Sequence, residues 1–379
     1  MKDRSLIYLI VVTAFYTLAT SATGVFLPNY FLNAGLSVNQ VILLFAAVCL
    51  VLGIVPFITL KIIPKLFEKL LIIGLLLGML FFFLLGFVRN PLVLGFVLGL
   101  SYAMFWPAFN LLLFRFTGIK KRGLVVSLLY FVVPTVTSII GPSLGGVFIS
   151  FLSFNLLFLL AIALLFVAFI FSLRIKYAPA EGGFNIPRSG LLFLFALIIM
   201  TNGFGDVTWI AYPLFLHELA GGFLGMGILV SVLSLIFAAI SLIAGKISGV
   251  EKHRISFAVL AMLMSSIWVI SLSLVQTIPQ LVGIYVFEGI YGAFSPLVFA
   301  LYGDFFKRKQ HATLVVLWEV FLMFGRLANL IPVGIFINNF NFSSYFLVVG
   351  VISLSCPALL LVLKMLHSKG RIRVDTAQK

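Results

Sequence analysis

Residues 102–107 read Tyr102-Ala103-Met104-Phe105-Trp106-Pro107, and 189 positions further on residues 291–296 read Tyr291-Gly292-Ala293-Phe294-Ser295-Pro296. Each stretch lies within a long apolar run, and each is followed, near the end of that run, by a basic cluster, Lys120-Lys121-Arg122 in the first case and Lys307-Arg308-Lys309 in the second. Residues 145–160 align with 333–348 at almost the same offset, with six identities in sixteen, and Pro28 matches Pro213. The chain has 379 residues, so the offset is half its length. The sequence reads as one unit written twice.

Outward from these stretches the chain is apolar almost throughout. It is 63% hydrophobic and only 9% charged, with mean hydropathy +1.26. Soluble domains carry about 25% charged residues, so a soluble globular protein is excluded, and disorder needs the opposite composition. A membrane-spanning helix needs about 20 mainly apolar residues. Twelve such segments are predicted, at 5–31, 41–60, 70–88, 92–115, 124–150, 155–173, 190–217, 224–244, 256–276, 281–303, 312–337 and 343–365. Short breaks rich in Gly, Pro, Asn and charge separate them, and near-continuous apolar runs argue for helices over an alternating barrel. Lys2 and Arg4 before an apolar run resemble a signal peptide, but no polar region follows, so the run reads as an uncleaved first span. Cys49 and Cys356 lie in apolar runs and read as small core residues.

The net charge of +15 is explained by location. With twelve spans both termini share a side, and 23 of the 25 Lys and Arg fall on it. The opposite loops hold only Arg89, and Arg326 falls within a span. By the positive-inside rule both termini are expected to be cytoplasmic, in the cell (plasma) membrane. No nucleic-acid partner is needed to explain the charge.

Twelve spans in two six-helix parallel repeats with a basic central loop resemble the major facilitator superfamily. The resemblance covers the whole chain. It implies an all-α polytopic membrane protein: an N-terminal bundle at 1–175, a cytoplasmic linker at 176–189, a C-terminal bundle at 190–366 and a basic tail at 367–379. In span 5, Gly141-Pro142-Ser143-Leu144-Gly145-Gly146 resembles the core of the antiporter motif of drug–proton exporters in that superfamily, with Gly141, Pro142, Gly145 and Gly146 at its key positions. Proline there bends the helix, and the glycines admit a close neighbour. Position 137 is Thr where the motif has a further Gly. The loops between spans 2 and 3 and between spans 8 and 9 keep the basic residues of the superfamily pattern and lack its Asp.

Charged residues inside spans default to functional hypotheses. Four stand out, Asp206 in span 7, Glu288 in span 10, and Glu319 and Arg326 in span 11. At about 1.5 Å rise per residue, Asp206 lies roughly 24 Å into its span and Arg326 roughly 21 Å into its own. Glu288 also falls in the outer half, so these three are expected at one level. Glu319 precedes Arg326 by seven residues on the same face. These four are the candidate proton-coupling or substrate-binding residues. A desolvated carboxyl group resists ionisation and a neighbouring guanidinium favours it, which suits a group that loads and releases a proton. The alternative is a static ion-pair network that locks spans 7, 10 and 11.

Polar stripes at helical spacing mark spans 1, 4, 7 and 10, the spans that line the cavity in the resembled family. The candidate cavity residues are Tyr16, Thr17, Thr20, Tyr102, Trp106, Asn110, Asn202, Trp209, Tyr291 and Ser295, with Asn329 of span 11 continuing the Arg326 face. Ser and Thr in such stripes can instead bond their own backbone. Arg115 and Asp304 occupy equivalent ends of spans 4 and 10 and form a candidate cytoplasmic gate. No phosphate-binding loop, metal motif or cofactor motif is present in the sequence, and none of these groups is expected as a cofactor.

The reading is a monomeric secondary transporter and not an enzyme. Its partners are a small-molecule substrate, protons and the lipid bilayer. Proton-coupled efflux of a lipophilic or cationic compound is preferred, uptake of a small organic acid gripped by Arg326 is the alternative, and a non-transporting receptor or assembly factor is the rival of another class.

Overall fold

A computed structural model describes residues 2–116, 129, 132–178, 184–187, 189–247, 253–306 and 310–369. Among them, twelve helices are long and apolar enough to cross a membrane. They are span 1 (Arg4–Gly24), span 2 (Val38–Ile62), span 3 (Pro64–Leu85), span 4 (Pro91–Leu113), span 5 (Val133–Phe151), span 6 (Phe154–Ser172), span 7 (Gly190–Ala220), span 8 (Phe223–Ala244), span 9 (Arg254–Leu272), span 10 (Ile278–Asp304), span 11 (His311–Asn339) and span 12 (Phe342–Ser368). No described residue lies in a strand. The protein is an all-α, multi-pass membrane protein. The predicted start of span 5 at 124, both basic clusters, part of the central linker (179–183 and 188) and the tail from 370 lie outside the described residues.

Local chemistry sets the span starts. The Ser37 hydroxyl accepts from the Gln40 amide while the Gln40 side chain accepts from the Ser37 amide, which opens span 2 with two orphan donors satisfied. Asn90 accepts from the amides of Leu92 and Val93 at the start of span 4. Ser153 and Ser189 cap spans 6 and 7 in the same way. Between spans 7 and 8 the chain reverses at Gly221 and Gly222, with φ of 69° and 140°, a conformation that favours glycine.

The chain divides into two compact units. The first comprises residues 1–180 and 208–234, and the second comprises 181–207 and 235–379. Spans 7 and 8 each contribute to both. In the first unit span 1 packs on spans 5 and 6, and span 4 on spans 2 and 3. In the second, span 7 packs on spans 11 and 12, and span 9 on spans 10 and 12. The pairs 1 with 5, 1 with 6, 3 with 4 and 3 with 6 therefore recur as 7 with 11, 7 with 12, 9 with 10 and 9 with 12. The repeat in the sequence is a repeat in packing.

Span 3 shows how the bilayer sorts side chains. Leu71, Leu75, Phe81, Phe82 and Leu85 are buried, while Ile73, Leu76, Leu80 and Phe83 are exposed at spacings of three and four. Both faces are apolar because the outer one meets lipid. In the second unit Phe195, Ile199, Met262, Tyr302 and Leu360 meet in one buried cluster.

Three spans are not continuous helices, contrary to the unbroken runs that the sequence suggests. Span 7 is helical over Gly190–Phe204, leaves the helix at Gly205 and Asp206, makes one 3-10 turn at Val207–Trp209, and resumes at Ala211–Ala220. Span 10 breaks at Ser295 ahead of Pro296, which lacks an amide to donate. Span 12 breaks at Leu354. The equivalent Pro107 lies within an unbroken span 4.

Candidate functional site

The break in span 7 sets out the site. Asp206 lies where the chain has left one helix and has not entered the next, so its direction is not fixed by a helical turn. Arg326 of span 11 donates from Nε to Asp206 Oδ2 at 3.3 Å, and the two side chains are 19% and 21% exposed. One helical turn along, Asn329 donates from Nδ2 to the carbonyl of Phe204, the last helical residue before the break. Tyr345 of span 12, fully buried, donates its hydroxyl to Asn329 Oδ1 at 2.9 Å.

Glu288 of span 10 faces the same place. Asp206 is within electrostatic reach of Glu288, and Tyr291, one turn after Glu288, is within reach of both and packs on the buried cluster of the second unit. Oε2 of Glu288 is buried and has no hydrogen-bond partner among the described residues. Glu319, 5% exposed, lies within electrostatic reach of Arg326. Asp206, Glu288, Tyr291, Arg326 and Asn329 thus come together in the second unit, with Glu319 two turns away along span 11. A cluster with three carboxyl groups and one guanidinium favours protons and cations.

Backbone approach fixes this geometry. A Cβ on Gly203 would stand 2.8 Å from the Leu322 carbonyl oxygen, and one on Gly325 would collide with the Met200 carbonyl. Spans 7 and 11 therefore touch through their backbones, as small residues allow.

The remaining candidates belong to the first unit or to the ends of spans. Trp209 packs on Phe45 and Tyr102, with ring centroids 5.6 and 6.3 Å apart. Tyr16 stacks on Phe105 at 3.7 Å and meets Trp106 edge-on. Tyr16, Thr20 and Tyr102 line a largely apolar pocket together with Ser101 and Phe82. Thr17 is buried and shares a hydrogen bond with Thr137, and Thr20 bonds the Tyr16 carbonyl. Asn110 is buried, while Asn202 and Ser295 are half-buried.

The Gly141–Gly146 segment is a packing seam. A Cβ on Gly141 would meet the Ala22 amide at 2.8 Å, and one on Gly146 would meet the Phe223 carbonyl at 2.8 Å. Ser143 and Ser231 hydroxyls lie 2.7 Å apart. The segment thus packs between span 1 and residues 223–231, all in the first unit. Thr137, the departure from the motif, is explained here: its hydroxyl donates to Thr17 Oγ1 at 3.0 Å and its carbonyl accepts from Ser21.

Arg115 and Asp304 each have a partner in their own unit. Arg115 pairs with Glu68 and also donates to the Lys176 carbonyl. Glu68 is 2% exposed and accepts from the Ala178 amide. Asp304 pairs with Arg254 at 2.9 Å. The two pairs occupy equivalent places in the repeat with the signs exchanged. Sequence reasoning passed over Glu68 and Arg254 as partners. The usable signal for Glu68 was its being the one acid in a basic loop. Tyr345 carried no signal, since one Tyr in an apolar run resembles any other.

Comparison with known proteins gives the family and the fold. The sequence profile of the Major Facilitator Superfamily matches residues 9–191 and again residues 190–378. The chain belongs to that superfamily, and the protein is a membrane transporter and not an enzyme. Solved structures similar to it include the crystal structure of the human organic anion transporter MFSD10 (TETRAN), at 12% sequence identity and a TM-score of 0.73, covering 95% of this chain and 99% of that one. At that identity the likeness shows the fold. The comparison with curated protein sequences gave no match.

Proposed function

We propose that the protein is a proton-coupled exporter of lipophilic or cationic small molecules, acting by alternating access as a monomer in the cell membrane with both termini cytoplasmic. The single observation that carries this reading is Glu288, whose Oε2 is buried without a donor among the described residues and within electrostatic reach of Asp206. A bare carboxylate there is costly, and two of them repel. A bound proton or an organic cation relieves both costs. Asp206 and Glu288 thus form the coupling pair, Arg326 steadies Asp206, and Glu319 relays charge toward the basic side. The Gly141–Gly146 seam and the basic excess on one side support the direction and the orientation.

The test is ethidium accumulation in inverted vesicles energised by a proton gradient. Wild type is expected to accumulate dye, and a protonophore to stop it. Asp206→Asn and Glu288→Gln are expected to lose accumulation. Transport that survives collapse of the gradient overturns the coupling, and normal pumping by both variants overturns the site.

A second reading has a specific observation behind it. Arg326 keeps 19% of its side chain exposed, and the similar human structure is described as an organic anion transporter. On this reading a substrate carboxylate displaces Asp206 from Arg326. Benzoate uptake into proteoliposomes, abolished by Arg326→Ala, separates it from the first.

A further inference from the structure

Phe204 ends a helix midway along span 7. Its carbonyl has lost its place in the helical ladder, and within a membrane protein such a group must find a donor inside the fold. Asn329 supplies it. An asparagine amide has one donor end and one acceptor end, and here each end is used: Nδ2 on Phe204, Oδ1 receiving the Tyr345 hydroxyl. Asn329 is 5% exposed and Tyr345 is fully buried, so water does not compete for these bonds.

The chain of bonds runs from span 12 through span 11 to the broken end of span 7. Arg326 lies three residues before Asn329 on the same helix, and Asp206 lies two residues after Phe204. One face of span 11 therefore grips both sides of the break, the carbonyl before it through Asn329 and the carboxylate within it through Arg326. From these bonds we infer that Tyr345 is a positioning residue: through Asn329 it fixes the broken end of span 7 and so aims Asp206 at Arg326. The inference rests on the reading of Asp206 as a coupling group. Without the Tyr345 hydroxyl, Asn329 loses the partner that orients its amide, and the break can close or turn.

The test uses the full chain in proteoliposomes, with two readouts. Hydrogen exchange follows the amides of residues 205–207 without any substrate. Ethidium efflux measured across pH reports the coupling group. Tyr345→Phe keeps the ring and removes the hydroxyl. Tyr302→Phe is the control, since that hydroxyl is buried with no hydrogen-bond partner among the described residues. Losing one hydrogen bond of about 1–1.5 kcal/mol corresponds to roughly tenfold faster exchange at the break. Tyr345→Phe and Asn329→Ala are expected to show that acceleration and to move the pH of half-maximal efflux by about one pH unit, while Tyr302→Phe does neither. Tyr345→Phe behaving like Tyr302→Phe overturns the inference. So does faster exchange with an unmoved pH profile, which leaves Tyr345 a merely structural role. If Asp206→Asn keeps the wild-type pH profile, the reading of Asp206 as coupling group fails instead, and that outcome is read from a different variant.

Discussion

Arg326 Nε and Asp206 Oδ2 lie 3.3 Å apart, with each side chain about one-fifth exposed. A fully exposed pair contributes little, about 0–1 kcal/mol, and a fully buried one leaves a stranded charge when broken. This pair lies between the two and can open and reform at modest cost. Its removal is asymmetric. Arg326→Ala leaves Asp206 facing Glu288 without a compensating cation and is expected to destabilise the protein by about 1–3 kcal/mol. Adding Asp206→Asn restores most of the loss. Thermal unfolding in nanodiscs measures both, and a double variant no more stable than Arg326→Ala refutes the account.

Glu288 is predicted to behave differently. Its Oε2 has no donor to lose, and glutamine keeps the shape. Glu288→Gln is expected to unfold at the wild-type temperature or slightly above it. Proton-driven ethidium accumulation falls by at least about tenfold, the equivalent of 1.4 kcal/mol. A stable variant with intact accumulation removes Glu288 from the site.

The sequence carried the spans, the repeat and the four charges within spans because each depends on composition along the chain. The apolar runs survive any packing, and Asp206, Glu288, Glu319 and Arg326 stand out against them. Packing detail was less legible. Asn202-Gly203 and Gly205-Asp206 are turn signals inside Thr201–Trp209, but the apolar run around them reads as one span, and the bond from Asn329 of span 11 to the Phe204 carbonyl cannot be read along the chain. Trp209 keeps helical spacing from Asp206 in the sequence, which does not reveal that its ring packs on Phe45 and Tyr102. Thr137 reads as a motif defect until Thr17 is placed opposite it.

The two ion pairs at the basic ends of the units are equivalent in place but not in energy. Glu68 is 2% exposed, whereas Arg254 is 48% exposed. Arg115→Ala strands a buried carboxylate and is expected to cost about 3–5 kcal/mol. Arg254→Ala is expected to cost no more than about 1 kcal/mol. Unfolding of the two variants side by side decides the matter, and equal losses contradict the burial argument. Replacing Glu68 by Gln in the Arg115→Ala background is expected to recover stability, because the stranded charge is then gone.

Glycine contacts give the last prediction, and it separates close packing from helix propensity. In an exposed helix, Gly→Ala stabilises by about 1 kcal/mol. At Gly24 a Cβ would meet nothing within 4 Å, so Gly24→Ala is expected to be neutral or stabilising. At Gly325 a Cβ collides with the Met200 carbonyl and stands 2.8 Å from the Phe204 amide. Span 11 must then move away from span 7, at an overpacking cost of about 1–3 kcal/mol. That movement also draws Arg326 away from Asp206 and Asn329 away from Phe204. Gly325→Ala should therefore lower the unfolding temperature and raise exchange at residues 205–207, as Tyr345→Phe does. A Gly325→Ala protein with wild-type stability and exchange would show that the two spans have room to separate without disturbing the site.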